Sequence, residues 1–447
     1  MNVIAPLVSL LLAIAFIVVA TTRWRLPPFL ALLLAACAYG VASGLSPAET
    51  LVAITGGLGR TVAGIGIIIA SGCIIGAVLE QTGAAMVMAN AVLKVVGRSR
   101  TVLAMGLTGG VVSVPVFCDS GYVVLAPLVR SLARRAKQSI AALAVALSMG
   151  LYATHCLVPP TPGPVAAAEA LSADLGQVIA LGSLVAVVVI GVCCLFAMWA
   201  GRRWYIEPPA AQVAPAAGEA EEAGVVASLP RAFAPIVLPV ALIALRSFFP
   251  GAEGSRWAAT VTWLGDPNVA LLLGALLALV LARRHGAAEL GEWSGEALRS
   301  AGAIVLVTGA GGALGAVLRA TPLAEAIGTQ LASMDLGLFN IVLPFLVAAG
   351  LKTAQGSSTV AIVTTASLLA PLLPALGLDQ GTVLTLTVLA IGAGSMTVSH
   401  VNDSYFWVIT QMSGITVSQG YRLITLASAV AGGTAIVVIV ILRFLLG

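Results

Sequence analysis

The sequence predicts an all-α protein that crosses a membrane many times and is built from two inverted-topology repeats. Of its 447 residues, 60% are hydrophobic and only 9% are charged, whereas a soluble domain carries about 25% charged residues. Uncharged runs such as Val178–Ala200 and Ile424–Leu446 reach the roughly 17–25 residues that a helix needs to cross a bilayer. Membrane β-strands would alternate polar and apolar positions, but these runs are apolar throughout, which favours helices.

The two halves of the chain share short strings that occur in the same order. Each string alone is weak, because Gly, Ala and Leu are common here, but their shared order indicates an internal repeat. The matching pairs are Gly72–Leu79 with Gly311–Leu318, Leu125–Leu128 with Leu369–Leu372, Ser148 with Ser395, and His155 with His400.

Residues 201–230 are predicted to form a cytoplasmic linker between the repeats. This segment is rich in Pro, Ala and Glu, a composition typical of flexible, solvated chain. The first repeat then covers residues 1–200 and the second covers residues 231–447, each with about five spans and one re-entrant hairpin. Because five is odd, the second repeat would lie upside down relative to the first, as in many secondary transporters.

Basic residues orient the first elements in a bacterial cytoplasmic (inner) membrane. The apolar run Val3–Ala20 has no cleavage site of small residues after it, so we interpret it as a retained span rather than a signal peptide. Basic residues mark cytoplasmic ends. The pairs that end apolar spans are Arg23 with Arg25, Arg202 with Arg203, and Arg283 with Arg284.

A first re-entrant hairpin is predicted at about residues 101–135. Basic residues flank this segment on both sides, so both of its ends should be cytoplasmic. The apolar run breaks at Val114–Gly121. The arm before the break has about 13 residues, or roughly 20 Å of helix, and is too short to cross the membrane.

A second hairpin is predicted at about residues 337–375, with its break at Lys352–Thr359. Its flanks hold Glu325, Asp335 and Asp379 and no basic residue. This charge pattern favours a hairpin that enters from the periplasm.

Two broken helices complete the pattern, at about residues 138–173 and 382–412. The second is interrupted at Ser399–Ser404. Unpaired backbone is costly in lipid, so the breaks should face protein or water and meet in one polar chamber near the middle of the membrane. The first is interrupted by prolines that cannot continue a helix, namely Pro159, Pro160, Pro162 and Pro164.

Polar residues at the four breaks are the candidate substrate-binding residues. Half-helix N-termini present free amides and a positive dipole end, which attract anions, and Lys352 is placed to pair with a substrate carboxylate. The candidates are Ser120, Gly121, Thr154, His155, Gly163, Lys352, Gln355, Gly356, Ser357, Ser358, Thr359, His400 and Asn402.

Titratable groups at membrane depth are the candidate proton carriers, because charge there is costly and usually functional. Structural alternatives stay open. An intramembrane histidine is often an interhelical hydrogen-bonding residue, Asp403 is alternatively the cap of the following half-helix, and Lys352 alternatively snorkels to the interface. The candidate carriers are Asp119, Asp403, His155 and His400.

Nothing in the sequence indicates catalysis or a bound metal. The six cysteines lie in apolar runs without Cys-x-x-Cys spacing, and His-Glu-x-x-His and Gly-x-Ser-x-Gly motifs are absent. We therefore predict no enzyme activity, no catalytic residue and no cofactor or metal site, with a transported proton as the expected co-substrate and Na⁺ as an open alternative. The net charge of +4 is spread over loops, so no nucleic-acid partner is expected.

Four segments resemble the gluconate permease (GntP) family of the Ion Transporter superfamily, and the similarity extends over nearly the whole chain. Thr161-Pro162 stands where the family often has His-Pro, and Cys118 stands where members often have Phe or another apolar residue, so one polar contact differs. The segments are VPVFCDSGYVVLAPL (Val114–Leu128), THCLVPPTPGPVAAAEAL (Thr154–Leu171), AQGSSTVA (Ala354–Ala361) and GAGSMTVSHVNDSYFW (Gly392–Trp407).

This resemblance implies import of gluconate or a related small hydroxy-carboxylate by proton symport. It also implies an elevator, in which a transport domain containing both hairpins slides against a scaffold domain that holds a homodimer. The expected partners are a small organic anion, membrane lipid and a second copy of the chain. Two alternatives stay open, a sodium-coupled carrier of dicarboxylates or citrate, and a permease for D-serine, glycerate or hydroxybutyrate.

Overall fold

The fold is known from a computed structural model that describes residues 4–97, 100–208, 228–248, 256–321 and 337–446. Every regular element within these ranges is helical, as the sequence predicts. Most of the predicted linker, residues 209–227, lies outside them. Glu325 and Asp335, which helped to orient the second hairpin, also lie outside the described residues.

The helices form two series, one before and one after the segment 209–227. The first series is α1 (Ile4–Thr22), α2 (Pro28–Ala42), α3 (Pro47–Gln81), α4 (Ala84–Val96), α5 (Thr101–Val112), α6 (Cys118–Arg135), α7 (Ile140–Leu157), α8 (Pro162–Leu171) and α9 (Leu175–Arg203). The second series is α10 (Leu229–Phe248), α11 (Arg256–Leu264), α12 (Pro267–Leu281), α13 (Ala287–Arg319), α14 (Val342–Gln355), α15 (Ser358–Leu369), α16 (Gly381–Ser395), α17 (Ser404–Ser413), α18 (Val417–Gly420) and α19 (Leu426–Leu446), with a π-helical turn at Tyr421–Thr425 that joins α18 to α19.

Long apolar helices confirm a polytopic membrane protein. Six helical stretches of the described chain are long and apolar enough to cross a bilayer, or seven if the bent pair α11–α12 forms one span. The six are α3, α7 with α8, α9, α10, α13, and α18 with α19. Shorter apolar helices, including α2, α5, α14 and α16, accompany them. The expected five spans and one hairpin per repeat stay a prediction.

The longest helices, α3 and α13, pack against each other along small residues. With 35 and 33 residues, each is about 50 Å long and exceeds the roughly 30 Å hydrocarbon core. A capping box of Ser46 and Glu49 starts α3. Further along, a Cβ at Gly57 would lie 3.0 Å from Ala313 Cα and 2.6 Å from Ala316 Cβ. The absence of a side chain therefore lets the two backbones meet.

The centre of the molecule is α7, in which every residue from Ile140 to Leu157 is buried. A helix that is apolar on all sides belongs inside a protein. Here α5 and α9 both pack against it, and they also contact each other. A Cβ at Gly150 would overlap the Gly106 carbonyl oxygen of α5. This close approach sets the end of α7, and the proline segment that follows, beside the first predicted hairpin.

The helix breaks lie at the predicted places in the chain, but their lengths differ from the predicted ones. The α5–α6 break spans Ser113–Phe117 and the α7–α8 break spans Val158–Thr161. The α14–α15 break is shorter than predicted, because Lys352 is still helical and Gly356 ends α14 with a φ of +86°. That left-handed conformation is one that glycine adopts readily at helix C-termini. The α16–α17 break spans Met396–Asp403.

Candidate substrate site at the helix breaks

A buried ion pair joins the second hairpin to the α16–α17 break. Lys352 Nζ lies 2.5 Å from Asp403 Oδ2, and the Lys352 side chain is 0% exposed. Ser399 donates a hydrogen bond to the same carboxylate oxygen at 2.5 Å, while Asp403 Oδ1 accepts one from Tyr405 N at 3.1 Å. Asp403 is thus the cap of α17, and Lys352 points into the protein rather than to the interface. Lys352 also donates to the Gly356 carbonyl.

The same break closes the tip of the second hairpin. A helix leaves its last carbonyls without intrahelical partners, and for α14 these carbonyls meet the Ser399–Ser404 loop. Asn402 Nδ2 donates to the carbonyls of Thr353, at 2.8 Å, and Ala354, at 3.2 Å. His400 Nε2 lies 2.9 Å from the Thr353 oxygen. The two predicted site residues therefore hold the hairpin tip in place.

The first hairpin reaches the same cluster from the other half. The ring of Phe117, in the α5–α6 break, lies 6.0 Å from the ring of His155. Asp119 lies close enough to Asp403 and Lys352 to interact with both charges. Asp119 Oδ1 and His155 Nδ1 are buried and have no hydrogen-bond partner among the described residues. Within the described chain, these two buried polar atoms of the site thus lack a partner.

Two tyrosines that the sequence analysis did not single out cross-link the halves. Tyr405 donates to the carbonyl of Ser148 at 2.9 Å, and Tyr152 donates to the carbonyl of Ser395 at 3.4 Å. Their ring centroids are 5.2 Å apart, and Lys352 Nζ lies 5.8 Å from that of Tyr152, within cation–π range. Ser148 and Ser395 are partners in the predicted repeat. Their sequence positions could have indicated them, because Tyr152 lies one turn before His155 and Tyr405 is the second residue after the α16–α17 break.

The start of α15 faces these tyrosines. The Ser358 side chain lies beside the side chains of Tyr152 and Cys156 of α7. Ser357 accepts a hydrogen bond from Val360 N at 3.3 Å and so caps the helix. Thr359 is half-buried in the first turn, and Gln355 Nε2 is buried with no partner in the described chain.

The remaining predicted residues line the packing contacts around the cluster. The Ser120 hydroxyl interacts with the Glu80 carboxylate of α3. Gly121 and Gly163 are places where a Cβ would come within 2.8 Å of Leu151 and 2.7 Å of Ile362, respectively. Thr154 is buried, and its hydroxyl faces Gly110 of α5. Their positions favour close packing of the hairpins as much as contact with a ligand.

In this conformation the wall between the first hairpin tip and the proline segment is nearly closed. Pro115, Phe117, Pro160 and Thr161 are among the residues that line a cavity of about 20 Å³ there. Such a volume accommodates about one water molecule. Among the described residues, no group of three or more His, Cys, Asp and Glu side chains is placed to hold a metal ion.

Comparison with protein families decides what kind of protein carries this cluster. The profile described as GntP family permease matches residues 5–445. This chain belongs to the GntP permease family. Membership confirms the resemblance drawn from the four segments, and with the long helices it makes this GntP permease a multi-pass membrane transporter rather than an enzyme.

Curated relatives match this GntP permease over almost its full length. The gluconate permease of Pseudomonas aeruginosa is 32% identical over 447 residues, which cover 98% of each chain. The D-serine transporter DsdX of Escherichia coli K12 is 31% identical over 98% of each chain. The inner membrane permease YgbN of Escherichia coli K12 is 30% identical, also over 98% of each chain.

A solved structure has a similar fold. The YdaH transporter of Alcanivorax borkumensis aligns with a TM-score of 0.65, over 94% of this chain and 99% of its own, at 15% identity. At that identity the likeness concerns the fold alone.

Proposed function

We propose that this permease imports gluconate or a related small hydroxy-carboxylate across the bacterial inner membrane by proton symport. The observation that carries the proposal is the buried cluster of Asp119, His155, Lys352 and Asp403, where the breaks of both halves meet. Ionisable groups inside a membrane protein characteristically mark substrate and proton pathways. The named gluconate permease and inner membrane relatives support the substrate class and the location.

The carboxylate is bound at the two half-helix N-termini. The amide and hydroxyl of Ser120 in α6, and those of Ser357, Ser358 and Thr359 in α15, are the donors, because free amides at helix N-termini attract anions. The amide of Gly121 already donates to the Phe117 carbonyl at 2.8 Å, so it is not a free donor. Asp403 holds the Lys352 ammonium behind the α14–α15 break, where it strengthens the positive potential at the start of α15. Thr154, His155 and Asn402 recognise the substrate hydroxyls.

Asp119 is the proton carrier, with His155 as the second candidate. Asp403 is already bound to Lys352, Ser399 and Tyr405, and His400 is bound to the Thr353 carbonyl. Asp119 and His155, by contrast, each have a buried atom without a partner among the described residues. A group that gains and loses a proton during transport must be free to do so.

The arrangement of the two helix series supports transport by an elevator. Both series contain a long helix, two short helices joined at a break, a broken helix and a final long helix, which supports the inverted repeat and its two hairpins. The paired long helices α3 and α13 suit the scaffold, and the hairpins with the broken helices suit the moving domain. In the proposed homodimer the scaffold domains would stay fixed. Light scattering of the detergent-solubilised protein tests the dimer, because it measures the mass of the particle.

Uptake into proteoliposomes tests the proposed substrate and coupling. We expect radiolabelled gluconate to accumulate when the outside is acidic, and a protonophore to abolish the accumulation. A sodium gradient without a pH gradient should drive none. Accumulation driven by sodium alone would contradict proton symport and favour the carrier of dicarboxylates or citrate.

A D-serine permease is the second candidate, because DsdX is about as similar as the gluconate permease. Competition against gluconate uptake separates the two, with D-serine, glycerate and hydroxybutyrate as competitors. If D-serine is accumulated and gluconate is not, the hydroxy-carboxylate assignment is wrong.

A further inference from the structure

A second cavity lies away from the helix breaks, between α3, the end of α8, α13 and the loop after α15. Its volume is about 400 Å³, within the roughly 300–1,000 Å³ of typical small-molecule sites. Two arginines line it, Arg60 on α3 and Arg319 at the end of α13, together with Thr61. The carboxylates of Glu169 and Asp379 also border it.

The two guanidinium groups lie at the same level of the helix pair. The Arg60 side chain folds back along α3, and its Nη1 lies 3.6 Å from the position that a Cβ of Gly56 would take. The Arg319 side chain folds back along α13 in the same way, with Nη1 3.7 Å from the position of a Cβ at Gly315. Gly57 of α3 packs against α13 at this height. The two side chains are close enough to repel each other. Like charges in such an arrangement attract an anion between them.

Among the described residues, no carboxylate lies within ion-pair distance of the two arginines. In the described part of the chain, neither Arg60 nor Arg319 forms an ion pair within 4.0 Å. The Glu169 carboxyl packs against Gly64, one turn beyond Arg60 on the side away from Gly56. It therefore lies on the other side of Arg60 from the guanidinium group. Two guanidinium groups that form no ion pair within 4.0 Å in the described chain, although Glu169 and Asp379 border the same cavity, favour binding of an external anion.

We propose that Arg60 and Arg319 form an anion-binding vestibule that receives the carboxylate of the substrate before it reaches the hairpin tips. Thr61 adds a hydroxyl beside Arg60. A smaller recess of about 30 Å³ shares Thr61 and Arg319 with the vestibule and is lined by Val363 and Ser367 of α15. Because α15 begins at the second hairpin tip, the recess extends from the vestibule along the helix that leads to the substrate site. The nature of the anion rests on the proposed function, but the positive potential does not.

Thiol chemistry measures that potential without any substrate. Thr61→Cys, made in a Cys37→Ala background because Cys37 is exposed, is reacted with an anionic and a cationic methanethiosulfonate of similar size. We expect the anionic reagent to be preferred, and Arg60→Gln with Arg319→Gln to reduce the ratio of the two rates by about tenfold or more, since charged clefts concentrate counter-ions by factors of 10–10³. Arg60→Lys with Arg319→Lys should keep the preference. An unchanged ratio in the glutamine variants would overturn the vestibule.

Two controls separate the vestibule from general surface charge. Thr55 lies on an exposed face of the same helix. For Thr55→Cys, the ratio of the rates with the anionic and the cationic reagent should not depend on Arg60 or Arg319. Arg299→Gln removes an exposed arginine from α13 outside the cavity and should leave the Thr61→Cys ratio unchanged. Gel filtration of each variant confirms that the protein is folded.

Protection experiments identify the source of the anion. In phosphatidylcholine vesicles, gluconate, glycerate or hydroxybutyrate should slow the reaction of the anionic reagent with the Thr61→Cys thiol. In transport, the glutamine variants should raise the KM for the transported acid about tenfold for each charge-assisted contact of roughly 1.4 kcal/mol that is lost. Protection by phosphatidylglycerol and by none of the acids would overturn the proposal in favour of a lipid headgroup site. Absence of gluconate uptake by the wild type would instead contradict the proposed function and leave the charge measurement intact.

Discussion

At the scale of single residues, the Lys352–Asp403 pair organises the site. Burying two charges costs several kcal/mol for each ion, and their attraction offsets this cost only when hydrogen bonds satisfy their remaining atoms. Here Ser399, Tyr405 N and the Gly356 carbonyl supply these bonds. The pair therefore fixes the second hairpin tip to the loop that caps it.

Removing one partner of this pair should be worse than removing both. Lys352→Met leaves a buried carboxylate without its cation and should destabilise the protein by about 3–5 kcal/mol. The double variant Lys352→Met with Asp403→Asn should recover much of the loss, while transport stays impaired. Thermal unfolding followed by tryptophan fluorescence measures the first effect and proteoliposome uptake measures the second. A double variant less stable than Lys352→Met would contradict a pairwise interaction.

Neutralising Asp119 should separate coupling from binding. Asp119→Asn keeps the size of the side chain but cannot release a proton, so we expect accumulation driven by a pH gradient to be lost while gluconate counterflow persists. Glu289→Gln, which alters an exposed carboxylate, is the matched control and should retain both activities. Full pH-driven accumulation by Asp119→Asn would assign the proton to another group, with His155 the next to test.

At the scale of elements, glycine contacts set the distance between helices. Among the described glycines, Gly150 makes the tightest approach to a backbone atom, since a Cβ there would overlap the Gly106 carbonyl of α5. Backbone atoms cannot move aside as a side chain can, so the helices would have to separate. That separation would move Thr154 and His155, which lie at the end of α7.

Alanine at Gly150 should therefore lower stability by about 1–3 kcal/mol through overpacking. Gly191→Ala in α9 is the control and should raise stability instead. A Cβ there meets no atom within 4 Å, and alanine is favoured over glycine inside helices by about 1 kcal/mol. Thermal unfolding of the two variants provides the comparison. Equal shifts in the same direction would show that packing at Gly150 is looser than the contact implies.

The sequence was sufficient to locate the helix breaks but not their side-chain partners. Proline and glycine act locally, so the breaks near Val114–Gly121 and Pro159–Pro164 could be identified from a few adjacent residues. The Lys352–Asp403 pair and the two tyrosine bonds connect distant segments, and no local pattern encodes such contacts. For the same reason, Arg60 and Arg319 each look like an ordinary interfacial arginine until the fold places them in one cavity.

At the scale of the whole molecule, the two halves complete each other. Tyr152 of the first half bonds to a carbonyl of the second, and Tyr405 of the second bonds to a carbonyl of the first. The charged cluster likewise takes Asp119 from one half and Lys352 from the other. The proposed site thus needs both repeats, in the relative orientation that an inverted topology would give.

Labelling from the two sides of the membrane tests that orientation. Lys137 and Asp379 are exposed residues after the first and second hairpins, so the inverted repeat predicts cytoplasmic and periplasmic positions, respectively. In a Cys37→Ala background, a membrane-impermeant maleimide added to intact cells should label Asp379→Cys and not Lys137→Cys. Inside-out vesicles should give the reverse. Labelling of both from one side would contradict the opposite orientation of the hairpins.

The crossed tyrosine bonds also bear on how the protein is made. Tyr405 is synthesised 257 residues after the Ser148 carbonyl that it binds. At about 5–20 residues per second, the first half waits in the membrane for roughly 13–50 s before its partner emerges. During that interval its polar interior must be kept from lipid by contacts it already possesses. The close mutual packing of α5, α7 and α9, all encoded before the linker, provides that shelter.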